Sequence, residues 1–277
     1  MAGHTSLLAP IGIFDSGVGG LSVLRAVRQQ LPGEDLIYLA DQGHVPYGSR
    51  SREEVRTFAE GITRYLLGQG AGLIVVACNT ASAAALHPLR QVFPGVPFVG
   101  MEPAVKPAAE RTQTGVVGVL ATPATFQGAL YASVIERFAN GVTVLQDTCP
   151  GLVMAIEAGQ LDTPQVRAIL GKALGPMLAQ GIDTVVLGCT HFPFVIPVIE
   201  DIVGPGVRVI DPAPAVARQV ARLLEAGGRR DPGERPGQVR YLTTGDPGEM
   251  QKLLPRLLGE RGEVRQLTWV EGKLAGD

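Results

Sequence analysis

The chain has 277 residues, of which 45% are hydrophobic and 18% are charged, and its formal net charge is −2. This composition is typical of a globular protein with a sizeable core, and it excludes a mainly disordered chain. The near-neutral charge gives no reason to expect nucleic acid or an acidic membrane surface as a partner.

The N-terminal residues and the apolar runs predict neither export nor membrane insertion. Residues 1–5 carry no basic segment ahead of a long apolar core, so no signal peptide is expected. No apolar run reaches the roughly 18 residues that a membrane span needs. The three cysteines fit neither a disulfide framework nor a CxxC metal pattern. We therefore expect a cytoplasmic protein with reduced thiols.

Short β-rich runs alternate with helical segments along the chain. In chain order they predict strand Ile11–Phe14, helix Leu21–Gln30, strand Leu36–Leu39, helix Arg52–Leu67, strand Leu73–Ala77, helix Ala81–Val92, strand Val116–Leu120, helix Phe126–Phe138, strand Val142–Leu145, helix Pro164–Ala179, strands Thr184–Leu187 and Val207–Ile210, helix Ala213–Ala226 and strand Val239–Thr243. Such alternation is typical of parallel sheets covered by helices.

The order of features in the first half of the chain is repeated in the second half. The strands that lead to Asp15 and to Thr122 both open onto a polar loop, and strands that end in a cysteine follow them by 63 and 67 residues. We therefore predict an α/β fold of two pseudo-symmetric lobes, each a mostly parallel sheet flanked by helices, with the active site in the interlobe cleft. Residues 1–98 and 209–277 are assigned to the first lobe, and residues 99–208 to the second.

Cys78 and Cys189 have nearly the same sequence surroundings. Each follows a β-branched apolar run, and a threonine and a helix-like segment come shortly after it. This position is the carboxyl end of a buried strand, where open α/β sheets form their active sites, and a helix N-terminus stabilises a thiolate there. Most buried cysteines are inert core residues, but the repeated setting favours a function. Two weak acids facing one cleft suit a reaction that removes a proton from one face of a carbon and returns one to the other, which inverts a stereocentre.

Polar residues beside the thiols are candidates for the same site. Asn79, Thr80 and Thr190 suit either the binding of a substrate carboxylate or the capping of a helix. His191 titrates near neutrality, so it can tune Cys189 or pass on its proton.

The first strand leads into a glycine-rich loop, Asp15–Gly20. The loop fits neither the GxGxxG nor the P-loop pattern, so it is either a tight turn or a loop that binds a small anion such as a carboxylate. Asp15 itself suits the orientation or deprotonation of a thiol, or the capping of a helix. A polar loop at Asp41–Arg50 is expected to edge the cleft. Cys149, which has no counterpart, is expected to be structural or to lie behind the site residues, and Glu157 taken alone fits a solvated helix face.

The sequence gives no sign of a cofactor. None of the four lysines lies at a strand end in a glycine- or serine-rich setting, which argues against a pyridoxal phosphate Schiff base. No set of histidine, cysteine and carboxylate residues has metal-ligand spacing. We therefore expect chemistry that needs neither a cofactor nor a metal.

Five segments together resemble the glutamate racemase family. They are Ile13–Leu21, Ala40–Asp41 with Pro46–Gly48, Ala77–Ser82, Met101–Ala108 and Gly188–Pro193. The likeness runs in order over nearly the whole chain, and the DSGVGG and PYG segments point to the glutamate branch of the aspartate/glutamate racemase superfamily. The resemblance implies two α/β lobes with the site between them and a cofactor-independent interconversion of L- and D-glutamate, which supplies D-glutamate for peptidoglycan synthesis.

The resemblance also assigns roles to single residues. It implies that Cys78 takes the proton from D-glutamate and Cys189 from L-glutamate, and that Asp15 assists the first thiol and His191 the second. Glu157 matches a further acidic residue near the second thiol. Substrate contacts are implied for Asp15, Ser16, Tyr47, Gly48, Asn79, Thr80, Thr190 and His191. Family members are commonly dimers, so a homodimer without nucleic-acid or membrane partners is expected.

The sequence departs from the family pattern at two places, Gln42–Gly43 in the loop before Tyr47 and Ala124 in the segment Thr122–Thr125. Three other functions remain open. The first is a racemase for aspartate or another acidic substrate, and the second is a Cys-His-Asp acyl-transfer enzyme or amidase, which would leave one thiol idle. The third is a two-lobed protein that binds a small molecule without catalysis.

Overall fold

The computed structural model describes residues 9–231 and 235–276, so residues 1–5, for which no signal peptide is predicted, lie outside the described part. The elements are, in chain order, β1 (Ile11–Asp15), α1 (Leu21–Gln30), β2 (Leu36–Ala40), α2 (Arg52–Gly68), β3 (Leu73–Val76), α3 (Asn79–Val92), β4 (Phe98–Gly100), α4 (Val105–Arg111), β5 (Val116–Ala121), α5 (Pro123–Phe126), α6 (Ala129–Phe138), β6 (Thr143–Asp147), α7 (Leu152–Glu157), α8 (Pro164–Ala179), β7 (Thr184–Gly188), α9 (Ile196–Val203), β8 (Arg208–Ile210), α10 (Ala213–Ala226), β9 (Val239–Thr243), α11 (Pro247–Leu258), β10 (Val264–Val270) and β11 (Lys273–Gly276). Short 3-10 helices lie at Tyr47–Ser49 and Phe192–Val195.

Two sheets carry the fold. The first has the strand order β11-β10-β9-β2-β1-β3-β4 and the second has the order β6-β5-β7-β8. All neighbouring strands are parallel except β10 and β11, which form an antiparallel pair. The segments β2-β1-β3-β4 and β6-β5-β7-β8 repeat one arrangement, in which the first strand along the chain lies between the second and the third. This repeat and the flanking helices confirm the predicted fold class.

The strands at the centre of each sheet are buried along their whole length. Every residue of β1, β2, β3 and β7 is buried. Parallel strands covered by helices on both faces require this, because neither face meets water. One hydrophobic cluster runs through both lobes and includes Leu24 of α1, Leu152 of α7 and Leu170 of α8. The two lobes therefore share part of their core.

The chain passes from the first sheet to the second, and later back to the first, close to the predicted lobe boundaries but not at them. Strand β4 pairs with β3 and crosses the boundary at 98/99, and β8 pairs with β7 and crosses the boundary at 208/209. Each is the fourth strand of its repeat, and it forms hydrogen bonds along the outer edge of the third strand. After β8, helix α10 packs against α1, and β9 joins the first sheet. No helix in the described part of the chain is long and apolar enough to cross a bilayer.

The Asp183 carboxylate joins two turns of the second lobe. It accepts hydrogen bonds from the backbone N–H groups of Gln113 (2.5 Å) and Thr114 (3.0 Å) and from the Thr112 hydroxyl (2.8 Å). Desolvation opposes ionisation, but these hydrogen bonds outweigh it and lower the pKa of Asp183 to about 2. The ionised carboxylate therefore fixes the turn that leads into β5 against the start of β7.

We predict that Asp183→Asn lowers stability in a pH-dependent way. The folded-state pKa is about 2 and the ordinary value is 3.8, so the ionised side chain stabilises the fold above about pH 4, and this stabilisation is lost as the pH falls towards 2. The variant should lose about 1–2 kcal/mol at pH 7. Urea unfolding of both proteins between pH 3 and pH 7 measures the difference. A difference that stays constant over this range would contradict the assignment.

Candidate active site

The two thiols of interest lie at equivalent places in the two lobes. Cys78 directly follows β3 and Cys189 directly follows β7, which occupy the same position in the repeated strand order. Both line a single cavity of about 220 Å³ between the carboxyl ends of the sheets. This is the volume of roughly seven liquid waters, so the cavity suits a small molecule.

Most of the predicted site residues line this cavity. They are Ser16, Tyr47, Gly48, Cys78, Asn79, Thr80, Cys189, Thr190 and His191. The remaining two, Asp15 and Glu157, lie behind the cavity wall, where they contact lining residues.

Cys78 is the first residue before helix α3. Its Sγ accepts a hydrogen bond from the Ala81 N–H at 3.5 Å and lies 3.9 Å from the Ser16 Oγ. Burial and the nearby charge of Asp15 raise the pKa of Cys78 well above its usual value, although the Ala81 N–H opposes this. Before substrate binds, Cys78 is therefore a protonated thiol that can donate a proton.

Cys189 has a different partner, the imidazole of His191. The Cys189 Sγ lies 3.7 Å from Nδ1 of that ring, and the ring's Nε2 lies 2.5 Å from Oε1 of Glu157. Burial alone would lower the pKa of His191, but hydrogen bonds to Cys189 and Glu157 and the charge of Glu157 raise it well above the usual value. The ring is therefore an imidazolium, and a cation beside sulfur favours the thiolate.

The sequence predicted a helix start after each thiol, and the structure shows one only after Cys78. After Cys189 the chain forms the 3-10 helix Phe192–Val195, which contains Pro193, before α9 begins. Proline has no N–H to offer, and the short helix provides little dipole. The positive charge near Cys189 therefore comes from His191 instead.

Glu157 lies in the second lobe but is bound by groups of the first. Its Oε1 accepts a hydrogen bond from the Val18 N–H at 2.8 Å, and its Oε2 accepts one from Nε2 of Gln42 at 3.1 Å. Desolvation opposes ionisation, but the hydrogen bond and charge of His191, together with these two donors, lower the pKa of Glu157. The side chain is 7% exposed, so it does not lie on the solvated face that the residue alone suggested.

Asp15 is a buried carboxylate of the first lobe that is bound from both lobes. It accepts hydrogen bonds from the N–H groups of Ser16 (2.7 Å) and Gly20 (2.6 Å) and from the hydroxyl of Thr190 in the second lobe (3.3 Å). Burial raises its pKa, and the positive charge of His191 opposes this. Asp15 thus lies between the surroundings of both thiols, close enough to Cys78 for its charge to affect that thiol.

The glycine-rich loop binds carboxylates of the protein itself. Val18 donates to Glu157 and Gly20 donates to Asp15. A Cβ on Gly17 would overlap the Glu157 carboxylate, and a Cβ on Gly19 would overlap the His191 ring. Of the two interpretations of this loop, anion binding describes it well, and the anions include a side chain of the other lobe.

Asn79 offers the clearest contact for a ligand. Its side chain is buried, and both its amide nitrogen and its amide oxygen lack a hydrogen-bond partner, which is true of no other buried side chain among residues 9–231 and 235–276. Leaving buried polar groups unpaired costs about 1–3 kcal/mol each. A polar ligand in the cavity would remove this cost.

Two further groups shape the cavity, and one of them was not predicted. The Tyr47 hydroxyl donates to Oδ2 of Asp41 at 2.6 Å. The Thr122 hydroxyl lies 2.9 Å from that of Thr80, so the pair bridges the lobes, and Gly48 packs against Thr122. The sequence signal for Thr122 was its position, which in the second lobe corresponds to that of Asp15 in the first.

Cys149 is the third buried thiol. It lines the same cavity, with a left-handed backbone (φ 44°), and its N–H donates to Oδ1 of Asp147 at 2.7 Å. Its structural role stays a prediction. Within the described ranges, no three histidine, cysteine or acidic side chains converge so that they could hold a metal ion.

The fold and the site together define the class of protein. Residues 11–220 match the Asp/Glu/Hydantoin racemase family, and the chain belongs to this family of isomerases. Within the family it groups with the glutamate racemases. The glutamate racemase of Roseiflexus sp. (strain RS-1) is 54% identical over 249 residues, which cover 90% of this chain and 92% of the relative.

Solved structures of glutamate racemases have the same fold. The isoform RacE1 from Bacillus anthracis has a TM-score of 0.84 and 32% identity, with 96% of this chain and 98% of the other covered. The Escherichia coli protein, solved in complex with L-glutamate and the activator UDP-MurNAc-Ala, has a TM-score of 0.82 and 34% identity, with 97% and 99% covered.

We predict that Gly17→Ala and Gly19→Ala each lower racemase activity by roughly a hundredfold. Each added Cβ displaces Glu157 or His191, and displacements of about 1 Å in a catalytic site have effects of this size. Initial rates and circular dichroism measure activity and folding. Gly171→Ala is the matched control, because the Cβ that it adds to α8 meets nothing within 4 Å beyond its chain neighbours and the backbone of its own helix. Full activity in both loop variants would contradict the steric role.

Proposed function

We propose that this protein interconverts L- and D-glutamate without a cofactor, by a two-base mechanism in which Cys78 and Cys189 act on opposite faces of the α-carbon. The observation that supports this most strongly is that one small cavity is lined by a thiol from each lobe. A single-nucleophile reaction would need only one of them.

With L-glutamate, the Cys189 thiolate takes the α-proton and the Cys78 thiol delivers a proton to the opposite face. The product is D-glutamate, and the enzyme is left with a Cys78 thiolate and a protonated Cys189. The reverse reaction starts from this state. Solvent exchange of the two thiol protons restores the first form between turnovers.

The charge that develops on the substrate needs stabilisation, because an α-proton is a much weaker acid than a thiol. Backbone N–H groups at the start of α3 and the unpaired amide of Asn79 lie at the cavity, where they can bind the α-carboxylate as it gains electron density. The imidazolium of His191, held by Glu157, stabilises the thiolate form of Cys189. Asp15 is assigned the corresponding support of Cys78.

The choice of glutamate as substrate rests on the relatives. Glutamate racemases cover nearly the whole chain at about half identity, and the Escherichia coli relative was solved with L-glutamate bound. The resemblance adds a supply of D-glutamate to peptidoglycan synthesis, a cytoplasmic location and a homodimeric state to the proposal. A panel of glutamate, aspartate and other acidic amino acids tests the substrate.

We predict that Cys78→Ser and Cys189→Ser each lower racemisation at least a hundredfold, since each removes one of the two proton-transfer groups. The equilibrium constant of a racemisation is one, so kcat/KM must fall equally for both enantiomers. In heavy water, Cys78→Ser should still exchange the α-proton of L-glutamate slowly, and Cys189→Ser that of D-glutamate. Proton NMR of the α-position measures this exchange.

Two results would contradict this scheme. Near-normal racemisation by either variant would exclude the two-base mechanism. Exchange of the opposite enantiomer by each variant would reverse the assignment of the two thiols. Circular dichroism and the midpoint of thermal unfolding show whether each serine variant keeps its fold.

We predict that Glu157→Gln moves the acid limb of the pH profile of kcat/KM to higher pH. Without the carboxylate, the pKa of His191 falls towards its ordinary value, so less of the imidazolium that supports proton removal at Cys189 is present at neutral pH. Loss of a hydrogen bond to a charged group corresponds to about a tenfold to hundredfold decrease near pH 7. Activity should recover partly at alkaline pH. A decrease that is the same at every pH would show that Glu157 has only a structural role.

A further inference from the structure

Gln42 lies outside the cavity, in the loop after β2, yet it contacts Glu157 of the other lobe. Its Nε2 donates to Oε2 of Glu157 at 3.1 Å, and its Oε1 accepts a hydrogen bond from the Thr243 hydroxyl at 2.8 Å. The sequence marked this position only as a departure from the family pattern. Neither contact was visible from the sequence, because both partners lie more than 100 residues away.

The orientation of the Gln42 amide is determined by its surroundings. The Thr243 Oγ1 accepts a hydrogen bond from the Gly245 N–H at 3.0 Å, so its own proton points to Gln42 and requires the amide oxygen there. The amide nitrogen then faces Glu157. The opposite orientation would place the amide oxygen against a carboxylate, which repels it.

The backbone around Gln42 leaves little room for another arrangement. A Cβ on Gly245 would lie 2.8 Å from the Cβ of Gln42, so the glycine is packed against this side chain. Thr243 is fully buried at the end of β9. The Gln42 amide is therefore held between a rigid strand end and the Glu157 carboxylate.

We propose that Gln42 is a positioning residue for proton transfer at Cys189. It keeps the Glu157 carboxylate aimed at Nε2 of His191, and it does so from the opposite lobe. The proposal rests on the proposed function, because the proton transfer concerned is that of the two-thiol racemisation. Its consequence is that the lobe carrying Cys78 also controls the acid–base state of the other thiol.

Loss of the Gln42 amide should act through the charge of Glu157. With one donor fewer, the carboxylate is less well stabilised and less well aimed, so it supports the imidazolium less. Gln42 does not line the cavity. Its removal should therefore change the pH profile and leave the contacts of the substrate unchanged.

The test uses Gln42→Met, which keeps the length of the side chain and removes its amide. The control is Gln251→Met, the same change on the exposed face of α11. The pKa of His191 is measured by NMR of the imidazole protons, which is practical because the chain has only four histidines. The pH profile of kcat/KM with L- and D-glutamate is measured on the same proteins.

We expect Gln42→Met to lower the pKa of His191 by about one unit and kcat/KM at pH 7 by about tenfold, with partial recovery at alkaline pH. Gln251→Met should change neither. An unchanged His191 titration would overturn the proposal, whether activity is retained or falls equally at every pH. If the wild-type protein does not racemise glutamate, the proposed function fails, and the NMR titration still decides the role of Gln42.

A second variant keeps the proposal testable if Gln42→Met does not fold. Thr243→Val removes the hydroxyl that orients the amide and keeps the shape of the side chain. It should shift the His191 pKa in the same direction by a smaller amount. In the double variant with Gln42→Met, the effect of Thr243→Val on this pKa should disappear, because Thr243 acts through Gln42. Additive shifts would overturn the proposal.

Discussion

Each lobe contains a buried carboxylate that accepts hydrogen bonds from the other lobe, and the arrangement of the site depends on these hydrogen bonds. Asp15 of the first lobe accepts from Thr190, and Glu157 of the second accepts from Val18 and Gln42. A buried carboxylate costs several kcal/mol unless donors replace the water that it loses. The two acids therefore stabilise this contact between the lobes, and the same contact brings the thiols to one cavity. Separating the lobes would leave both acids without part of their donors.

Local signals in the sequence were sufficient for much of the fold. Helices Leu21–Gln30, Pro164–Ala179 and Ala213–Ala226 have the bounds that their apolar period and caps predict. The antiparallel pair β10 and β11 was not predicted, because many residues of both strands are exposed and neither strand shows the apolar run of the buried strands. Helix α11 was also missed, although Asp246 followed by proline is a typical helix start and the Asp246 carboxylate accepts from the N–H groups of residues 248 and 249.

In the candidate site, too, some residues were predictable from the local sequence, whereas others depend on contacts with distant residues. Positions 78 and 189 follow from the strand-end pattern, which is local. The position of Glu157 depends on partners 34, 115 and 139 residues away, so a helix-face glutamate was the natural interpretation of that residue alone. The resemblance to the racemases placed Glu157 near the second thiol. For Thr122 the sequence offered only its position, and for Gln42 only its departure from the family pattern, so neither was predicted as a site residue. The sequence left the glycine-rich loop open between a tight turn and a loop that binds a small anion, and the structure shows that it binds carboxylates of the protein itself.

The pseudo-symmetry of the fold does not extend to the surroundings of the two thiols. Cys78 receives an N–H from the start of a long helix and lies near the Ser16 hydroxyl, whereas Cys189 has an imidazolium beside it and a short 3-10 helix after it. This asymmetry is compatible with the proposed reaction. Because the enantiomers have equal free energies, kcat/KM is equal in both directions whatever the two thiols contact. Different surroundings change only kcat and KM, in proportion, for each enantiomer. Nothing in racemisation therefore requires the two halves of the site to match, provided that one thiol is ionised while the other is protonated.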